Sequence, residues 1–171
     1  ESVPSTADLP GLDAGGTDSI GEETTLQAEM SGASELLTVT TDVLEVDIDL
    51  AGGTIVTARL LNYPVELEVS EIKVDLLNRS GPEMFIAQSG LLSHEAAPNH
   101  TSNYHADKMQ YTLGQSADEI RVPLTWVDDS GIRVTKTFVF ERGEYDILVR
   151  HTLSNGSGQS WTGNRYDQLQ R

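Results

Sequence analysis

The feature that most constrains the fold is an alternation of apolar and polar residues with a period of two. From Leu44 to Leu50 every second residue is apolar, and the residues between them are Glu or Asp. This pattern is typical of a half-buried β-strand, which turns one face to a core and the other to water. Gly52-Gly53 can adopt the positive φ of a tight turn, so TIVTARLL (54–61) is predicted to return as the partner strand. Tyr63-Pro64 is predicted to end that strand, because proline lacks the amide hydrogen of the ladder.

Further short strands with the same period are predicted downstream, and no stretch shows a convincing period of 3.6. The last three strands form a meander, because the turns DDSG and RGE between them carry glycine beside polar residues. Pro123 lies within one of these strands and predicts an edge position or a bulge there. We therefore predict an all-β domain, antiparallel between residues 36 and 153 and built as a sandwich. The predicted downstream strands cover residues 72–77, 83–88, 109–113, 120–127, 132–141 and 145–153.

The composition divides the chain into a linker and a domain. Residues 1–34 are rich in Ser, Thr, Gly, Pro and acids, and a segment of this kind buries too little apolar surface to offset its ordering. We interpret residues 1–34 as an acidic, disordered linker, with an acidic binding tail as the alternative. Residues 35–171 form the β domain. Within it, residues 93–108 are polar and too long for a hairpin loop, which indicates an excursion over the surface.

The charge of the chain excludes several classes of partner. The formal net charge is −16, and no Lys or Arg precedes Arg59. Such a field repels nucleic acid and anionic lipid headgroups, so neither is a predicted partner.

The chain has no cysteine, which excludes a disulfide framework and a thiolate metal site. No run of residues approaches the roughly 18 apolar positions that a membrane helix requires.

Three of the four histidines lie in the polar excursion. His94, His100 and His105 have Glu95 and Asp107 nearby, which raises the hypothesis of a zinc or copper site. Their spacings of six and five residues match no compact ligand pattern, and a flexible loop holds a metal poorly without supporting contacts. We interpret them as solvated loop histidines, and no metal or cofactor is predicted.

His151 lies in a predicted strand, in phase with the apolar residues Val149 and Leu153. A catalytic imidazole is the alternative to a hydrogen-bonded histidine of the sheet, and the structural interpretation is favoured. The chain contains no G-x-S-x-G elbow, no H-E-x-x-H motif and no P-loop. No catalytic residue is assigned, and the sequence predicts that the protein is not an enzyme.

Other polar patterns are interpreted as structural. Asp128-Asp129 belongs to DDSG, which is ordinary turn chemistry rather than a catalytic carboxylate pair. Glu45, Asp47 and Asp49 share one strand face, which is predicted to be a solvated surface that discourages aggregation. Three formal glycosylation sequons are interpreted as chance matches, since they carry meaning only in a glycosylated secreted protein. These sequons begin at Asn78, Asn99 and Asn155.

Four unlike motifs follow one another along the chain: TVTTDVLEVDIDLAGGTIVTARLLNYP (38–64), FIAQSGL (85–91), VPLTWVDDSGIRVTKTFVFERGEYDILVRHTLSN (122–155) and YDQLQR (166–171). Taken in this order, they resemble the large periplasmic domain of the bacterial YidC membrane protein insertase. The resemblance runs with few breaks from about Leu37 to Arg171. Residues 65–80 and the polar excursion match no fixed family pattern.

The resemblance implies a twisted antiparallel β-supersandwich, related to galactose mutarotase domains and here incomplete, because the family domain continues beyond the YDQLQR strand. It also implies a location on the periplasmic side of the inner membrane of a Gram-negative bacterium, anchored by flanking transmembrane helices. The implied role is a non-catalytic scaffold for Sec translocon components and nascent membrane proteins. The substrate groove of the family lies in transmembrane helices that are absent from this sequence, so none of its residues is carried over.

The alternative function is a carbohydrate-binding or aldose-epimerase-like β-sandwich, because sugar enzymes share the implied architecture. A fold does not carry its activity with it, and an epimerase needs a histidine acid opposite a carboxylate base. His151 has no evident carboxylate partner in the sequence. If later strands of the domain do follow Arg171, we also expect Trp126, Phe138 and Phe140 to be more exposed than aromatic residues of a finished core.

Overall fold

A computed structural model describes residues 35–66, 69–80 and 84–171 of the chain. The linker predicted for residues 1–34 lies outside the described residues. Ten strands form two sheets, and the described ranges contain no helix, so the all-β prediction is confirmed. The strands are β1 (Leu36–Thr40), β2 (Leu44–Asp49), β3 (Thr54–Glu66), β4 (Val69–Asn78), β5 (Ile86–Ser93), β6 (Gln110–Thr112), β7 (Glu119–Val127), β8 (Ile132–Glu141), β9 (Ile147–Asn155) and β10 (Gly163–Gln170).

The two sheets differ in size and in the order of their strands. The first sheet has seven strands in the order β10-β5-β3-β2-β1-β6, with β4 also paired to β3. The second is the predicted meander, in the order β7-β8-β9. All pairings are antiparallel except that of β1 with β6, which is parallel. Pro123 lies on β7, the edge strand of this sheet, so its predicted edge position is confirmed. On its outer side β7 makes one isolated bridge, between Thr125 and His105.

The predicted hairpin is formed by β2 and β3 around Gly52 and Gly53, whose φ angles are 79° and 54°. The predicted end of β3 at Tyr63-Pro64 is wrong, because the strand continues to Glu66. Its pairing with β2 stops at Leu60, and its pairing with β4 shifts register between Leu60 and Pro64. The missing amide hydrogen of Pro64 therefore falls where the ladder is already irregular, and the strand can continue past it.

The core lies between the two sheets, and both sheets contribute side chains to it. Phe138 and Phe140 of β8 are each 1% exposed, so the expectation that they would be uncovered is wrong. They pack against residues of the first sheet, which already covers this face, while Trp126 is partly buried. Each large apolar side chain buried in this way contributes about 2 kcal/mol. Fully buried members from the two sheets include Leu37, Val39, Val46, Ile48, Val122, Leu124, Phe138 and Phe140.

Candidate functional site

The most unusual feature of the core is a lysine within it. Lys136 follows the inward phase of β8 between Val134 and Phe138, and its side chain is completely buried. Its Nζ donates hydrogen bonds to three backbone carbonyls, those of Gly52 at 3.0 Å, Gly53 at 2.7 Å and Ser89 at 2.9 Å. We call these three carbonyls the carbonyl cradle. An ammonium has three protons and no acceptor, so the carbonyl cradle satisfies all of its hydrogen-bonding capacity.

The carbonyl cradle links the two sheets through one charged group. The β2–β3 turn and β5 belong to the first sheet, whereas Lys136 belongs to the second. Nζ also lies 5.7 Å from the centroid of the Tyr104 ring and 5.4 Å from that of Phe138, so both rings attract the charge. Burial lowers the pKa of Lys136 to about 7, and Asp167 opposes that effect. Sequence reasoning missed this residue, although the signal was present as a lysine at an inward-facing position.

The glycines of the turn are required by this packing as well as by their backbone angles. A Cβ added to Gly53 would lie 3.1 Å from Cδ of Lys136 and 3.2 Å from Cδ1 of Leu124. A Cβ added to Gly52 would overlap the carbonyl oxygen of His100. A side chain at Gly52 would therefore displace the segment that carries His100, and one at Gly53 would require Lys136 or Leu124 to shift by a few tenths of an ångström.

His151 is the cross-strand partner of Lys136. Its burial alternates in phase with that of Val149 and Leu153, as predicted. The prediction of a hydrogen-bonded histidine is wrong, because both ring nitrogens are buried without a hydrogen-bond partner among the described residues. Burial, reinforced by the charge of Lys136, lowers the pKa of His151 to about 4. Among the described residues no carboxylate is hydrogen-bonded to the ring, although Asp167 of β10 is close enough to favour its protonated form.

The three loop histidines are not brought together. His94 and His105 are exposed, as predicted, but His100 is only 4% exposed, so its interpretation as a solvated residue is wrong. The backbone N–H of His100 donates to the hydroxyl of Tyr166 at 2.9 Å, and its Nδ1 lies 2.7 Å from the same oxygen. His100 thus anchors the 93–108 excursion to β10. Within the described ranges, no group of three or more His, Asp or Glu side chains could hold a metal ion.

The acidic face of β2 is solvated only in part. Glu45 forms an ion pair with Arg59 at 2.8 Å, and Asp47 accepts a hydrogen bond from the hydroxyl of Thr38 at 2.7 Å. Asp49 is 7% exposed and accepts from the backbone N–H of Ala51, so its prediction as a solvated residue is wrong. The acid caps the turn that carries the carbonyl cradle, which is a structural role.

The remaining polar motifs form turns. Asp128 accepts a hydrogen bond from the N–H of Ser130 at 2.9 Å, and bonding to Ser130 lowers the pKa of Asp128. The interpretation of DDSG as turn chemistry is therefore confirmed. In each of the three sequons the asparagine side chain accepts a hydrogen bond from the backbone N–H two residues later, the pattern of an Asx turn. These bonds join Ser80 to Asn78, Thr101 to Asn99 and Ser157 to Asn155.

A groove lies between the sheets on the side of β9 and β10. Its volume is about 590 Å³, and it is lined mainly by apolar side chains from both sheets. Ser89, which supplies one carbonyl of the carbonyl cradle, is among the lining residues. Leu169 at this groove is 64% exposed. In the described part of the chain, β9 pairs only with β8 and β10 only with β5, so each has one unpaired edge.

The described residues define an all-β domain of two packed sheets. Within these residues, no helix is long and apolar enough to cross a membrane. The model of the YidC periplasmic domain family matches residues 36–171, and the chain belongs to this family. The family is non-catalytic, so the enzyme alternative is wrong and the prediction that the protein is not an enzyme is confirmed.

Curated relatives agree with the family match. The chain is 42% identical over 146 residues to the membrane protein insertase YidC of Methylococcus capsulatus, covering 85% of this chain and 27% of that protein. It is 39% identical over 139 residues to the insertase YidC of Thioalkalivibrio sulfidiphilus, covering 77% of this chain and 25% of that protein. It is also 39% identical over 140 residues to the insertase YidC of Proteus mirabilis, covering 81% and 58%. The chain spans about a quarter of the length of the first two relatives.

Proposed function

We propose that this chain is a periplasm-facing, non-catalytic module of an inner-membrane insertase that assists the insertion and folding of membrane proteins. The observation that carries the proposal is the match of residues 36–171 to the YidC periplasmic domain. The relatives are named membrane protein insertases, which supports the same role for the longer protein. Transmembrane helices outside this sequence would hold the module at the membrane.

The module serves as a scaffold or partner-binding surface for Sec translocon components and nascent membrane proteins. The apolar groove beside β9 and β10 supports a role in contacting other polypeptides. Single large apolar side chains exposed on other strands offer further positions at which a contact can be detected. The net charge of −16 disfavours nucleic acid as the partner. Exposed examples are Leu36 on β1, Val127 on β7 and Leu148 on β9.

Site-specific photo-crosslinking in the full-length insertase in native membranes tests this role. A photoreactive phenylalanine is placed in turn at Leu36, Val127 and Leu148, and at the buried Phe138 as the matched control. We expect crosslinks from at least one exposed position to a Sec component or to a nascent membrane protein, and none from Phe138.

The proposal fails if no exposed position crosslinks to such a protein and deletion of residues 36–171 leaves membrane protein insertion unchanged. Insertion is measured in vesicles by protection of a translocated segment from protease. A crosslink to a partner without an insertion defect supports the scaffold role and assigns the insertion activity to the rest of the protein.

A further inference from the structure

We propose that Lys136 and His151 form a proton-sensitive contact, which holds β9 on β8 at neutral pH and loosens it when the imidazole gains a proton. The two residues are directly opposite in the antiparallel register of β8 and β9. Residues in this relation share one face of a sheet, with Cβ atoms roughly 5 Å apart. The contact therefore joins two basic groups in the interior of the domain.

In the acidic range where His151 could gain a proton, this pair already carries a positive charge on Lys136, because the pKa of Lys136 is about 7. All three protons of its ammonium are donated to the carbonyl cradle, which favours the charged form at this position. The His151 ring has no such partners, because its two nitrogens are buried and make no hydrogen bond within the described residues. A proton added to His151 would thus place a second positive charge beside the first, without an acceptor for its N–H groups.

The groups that face the pair from the neighbouring elements do not compensate that charge. From β10, Arg165 disfavours the protonated imidazole, whereas Asp167 favours it. Asp167 is already engaged in an ion pair with Arg165 at 2.8 Å, so much of its field is cancelled. Tyr104 from the loop and Tyr166 from β10 stay neutral, because burial raises the pKa of each phenol.

We expect protonation of His151 to loosen β9, because β9 is the edge strand of the second sheet. Within the described residues β9 has strand pairing with β8 alone, and one side-chain bond reaches it from β10, from Arg165 to the carbonyl of Val149 at 3.1 Å. Lys136, by contrast, is anchored to the first sheet through the carbonyl cradle. Burial and the Lys136 charge lower the pKa of His151 to about 4, from an ordinary value of 6.5. Between these two values an opened β9 binds more protons than the closed one, so opening becomes more favourable as the pH falls.

Hydrogen exchange of the full 171-residue chain, read by mass spectrometry at about pH 7 and about pH 4.5, tests the contact. We expect protection factors of residues 147–155 to fall roughly tenfold or more at the lower pH, while those of residues 36–49 change much less. Equal changes in both segments, or no change in residues 147–155, would overturn the proposal.

Two variants separate the contact from a general effect of acid. His151→Phe removes the titrating group and should abolish the acid-induced loss of protection in β9. His105→Gln, at an exposed loop position, should retain it. If His151→Phe does not fold, NMR titration of the wild-type His151 ring decides the question. A ring pKa below about 5 supports the contact, and a value near the ordinary 6.5 refutes it.

Discussion

At the residue scale, the burial of Lys136 is unfavourable in itself, and three backbone carbonyls offset it by accepting hydrogen bonds from the ammonium. Taking an ammonium out of water costs several kcal/mol, and a buried charge persists only when its hydrogen bonds are made. Each bond from a charged donor contributes about 1.5–3 kcal/mol, and Lys136 makes three of them to the carbonyl cradle. The three bonds join a side chain of the second sheet to backbone groups of the first.

Replacing Lys136 with Met should lower the free energy of unfolding by about 3 kcal/mol. The thioether fills the space of the aliphatic stem, but three buried carbonyls lose their donor, and each unsatisfied group costs about 1–3 kcal/mol. Urea denaturation followed by far-UV circular dichroism measures the loss. Lys108→Met, at an exposed position, is the control and should change stability by less than about 0.5 kcal/mol. Equal stability of the two variants would show that the carbonyl cradle contributes nothing.

Alanine substitutions at Gly52 and Gly143 separate the cost of a steric overlap from the cost of a strained backbone. Their φ angles are 79° and 77°, so alanine meets the same backbone penalty of about 1 kcal/mol at either position. A Cβ on Gly143 meets nothing within 4 Å, whereas one on Gly52 overlaps the carbonyl oxygen of His100. Gly143→Ala should therefore lose about 1 kcal/mol and Gly52→Ala on the order of 3 kcal/mol or more, measured by thermal or urea unfolding. Similar losses would contradict the close approach.

At the element scale, strands were predictable wherever one face meets the core and the other meets water. The alternation from Leu44 to Leu50 and along the meander is visible among neighbouring residues, so the sequence alone predicts those strands. The continuation of β3 past Pro64 and the parallel pairing of β6 with β1 depend on which strands become neighbours. Such long-range pairings leave no local pattern. The inward phase of Lys136 could be read from the local alternation of β8, but its partners could not, because the carbonyls come from residues 47 to 84 positions away.

Among the hydrogen bonds that hold the polar excursion 93–108 is one to a side chain of β10, which the composition of the excursion does not reveal. Tyr166→Phe removes the hydroxyl that accepts from the buried N–H of His100 at 2.9 Å. We expect a loss of about 1–3 kcal/mol in unfolding free energy, together with faster proteolysis within residues 93–108.

Tyr63→Phe is the control for this prediction, because Tyr63 is 52% exposed and its hydroxyl can bond to water. Limited proteolysis with mass-spectrometric mapping gives the cleavage sites in both variants. Cleavage of the two variants at the same rate within 93–108 would show that Tyr166 does not anchor the excursion.

At the scale of the whole molecule, the domain has a buried apolar core between its sheets and an apolar groove that is exposed to solvent beside β9 and β10. Phe138 and Phe140 are covered by the first sheet, which corrects the expectation that they would be exposed. The groove of about 590 Å³ beside β9 and β10 is lined mainly by apolar residues, and Leu169 there is 64% exposed. Uncovered apolar surface beside unpaired strand edges favours pairing with another chain. No local pattern in the sequence marks this groove, because its lining comes from six strands and the segments between them.

The 171-residue chain in isolation should therefore be weakly stable or self-associating. Each exposed apolar side chain at the groove forgoes up to about 2 kcal/mol of burial, which a second copy can recover by covering it. Sedimentation over a wide concentration range should show association, and Leu169→Lys should reduce it by placing a charge at the groove. Val127→Lys is the control, since Val127 is 54% exposed on β7, whose residues do not line the groove. A strict monomer that unfolds cooperatively with about 5–15 kcal/mol of stability would contradict the prediction, because such a domain would need no cover for its groove.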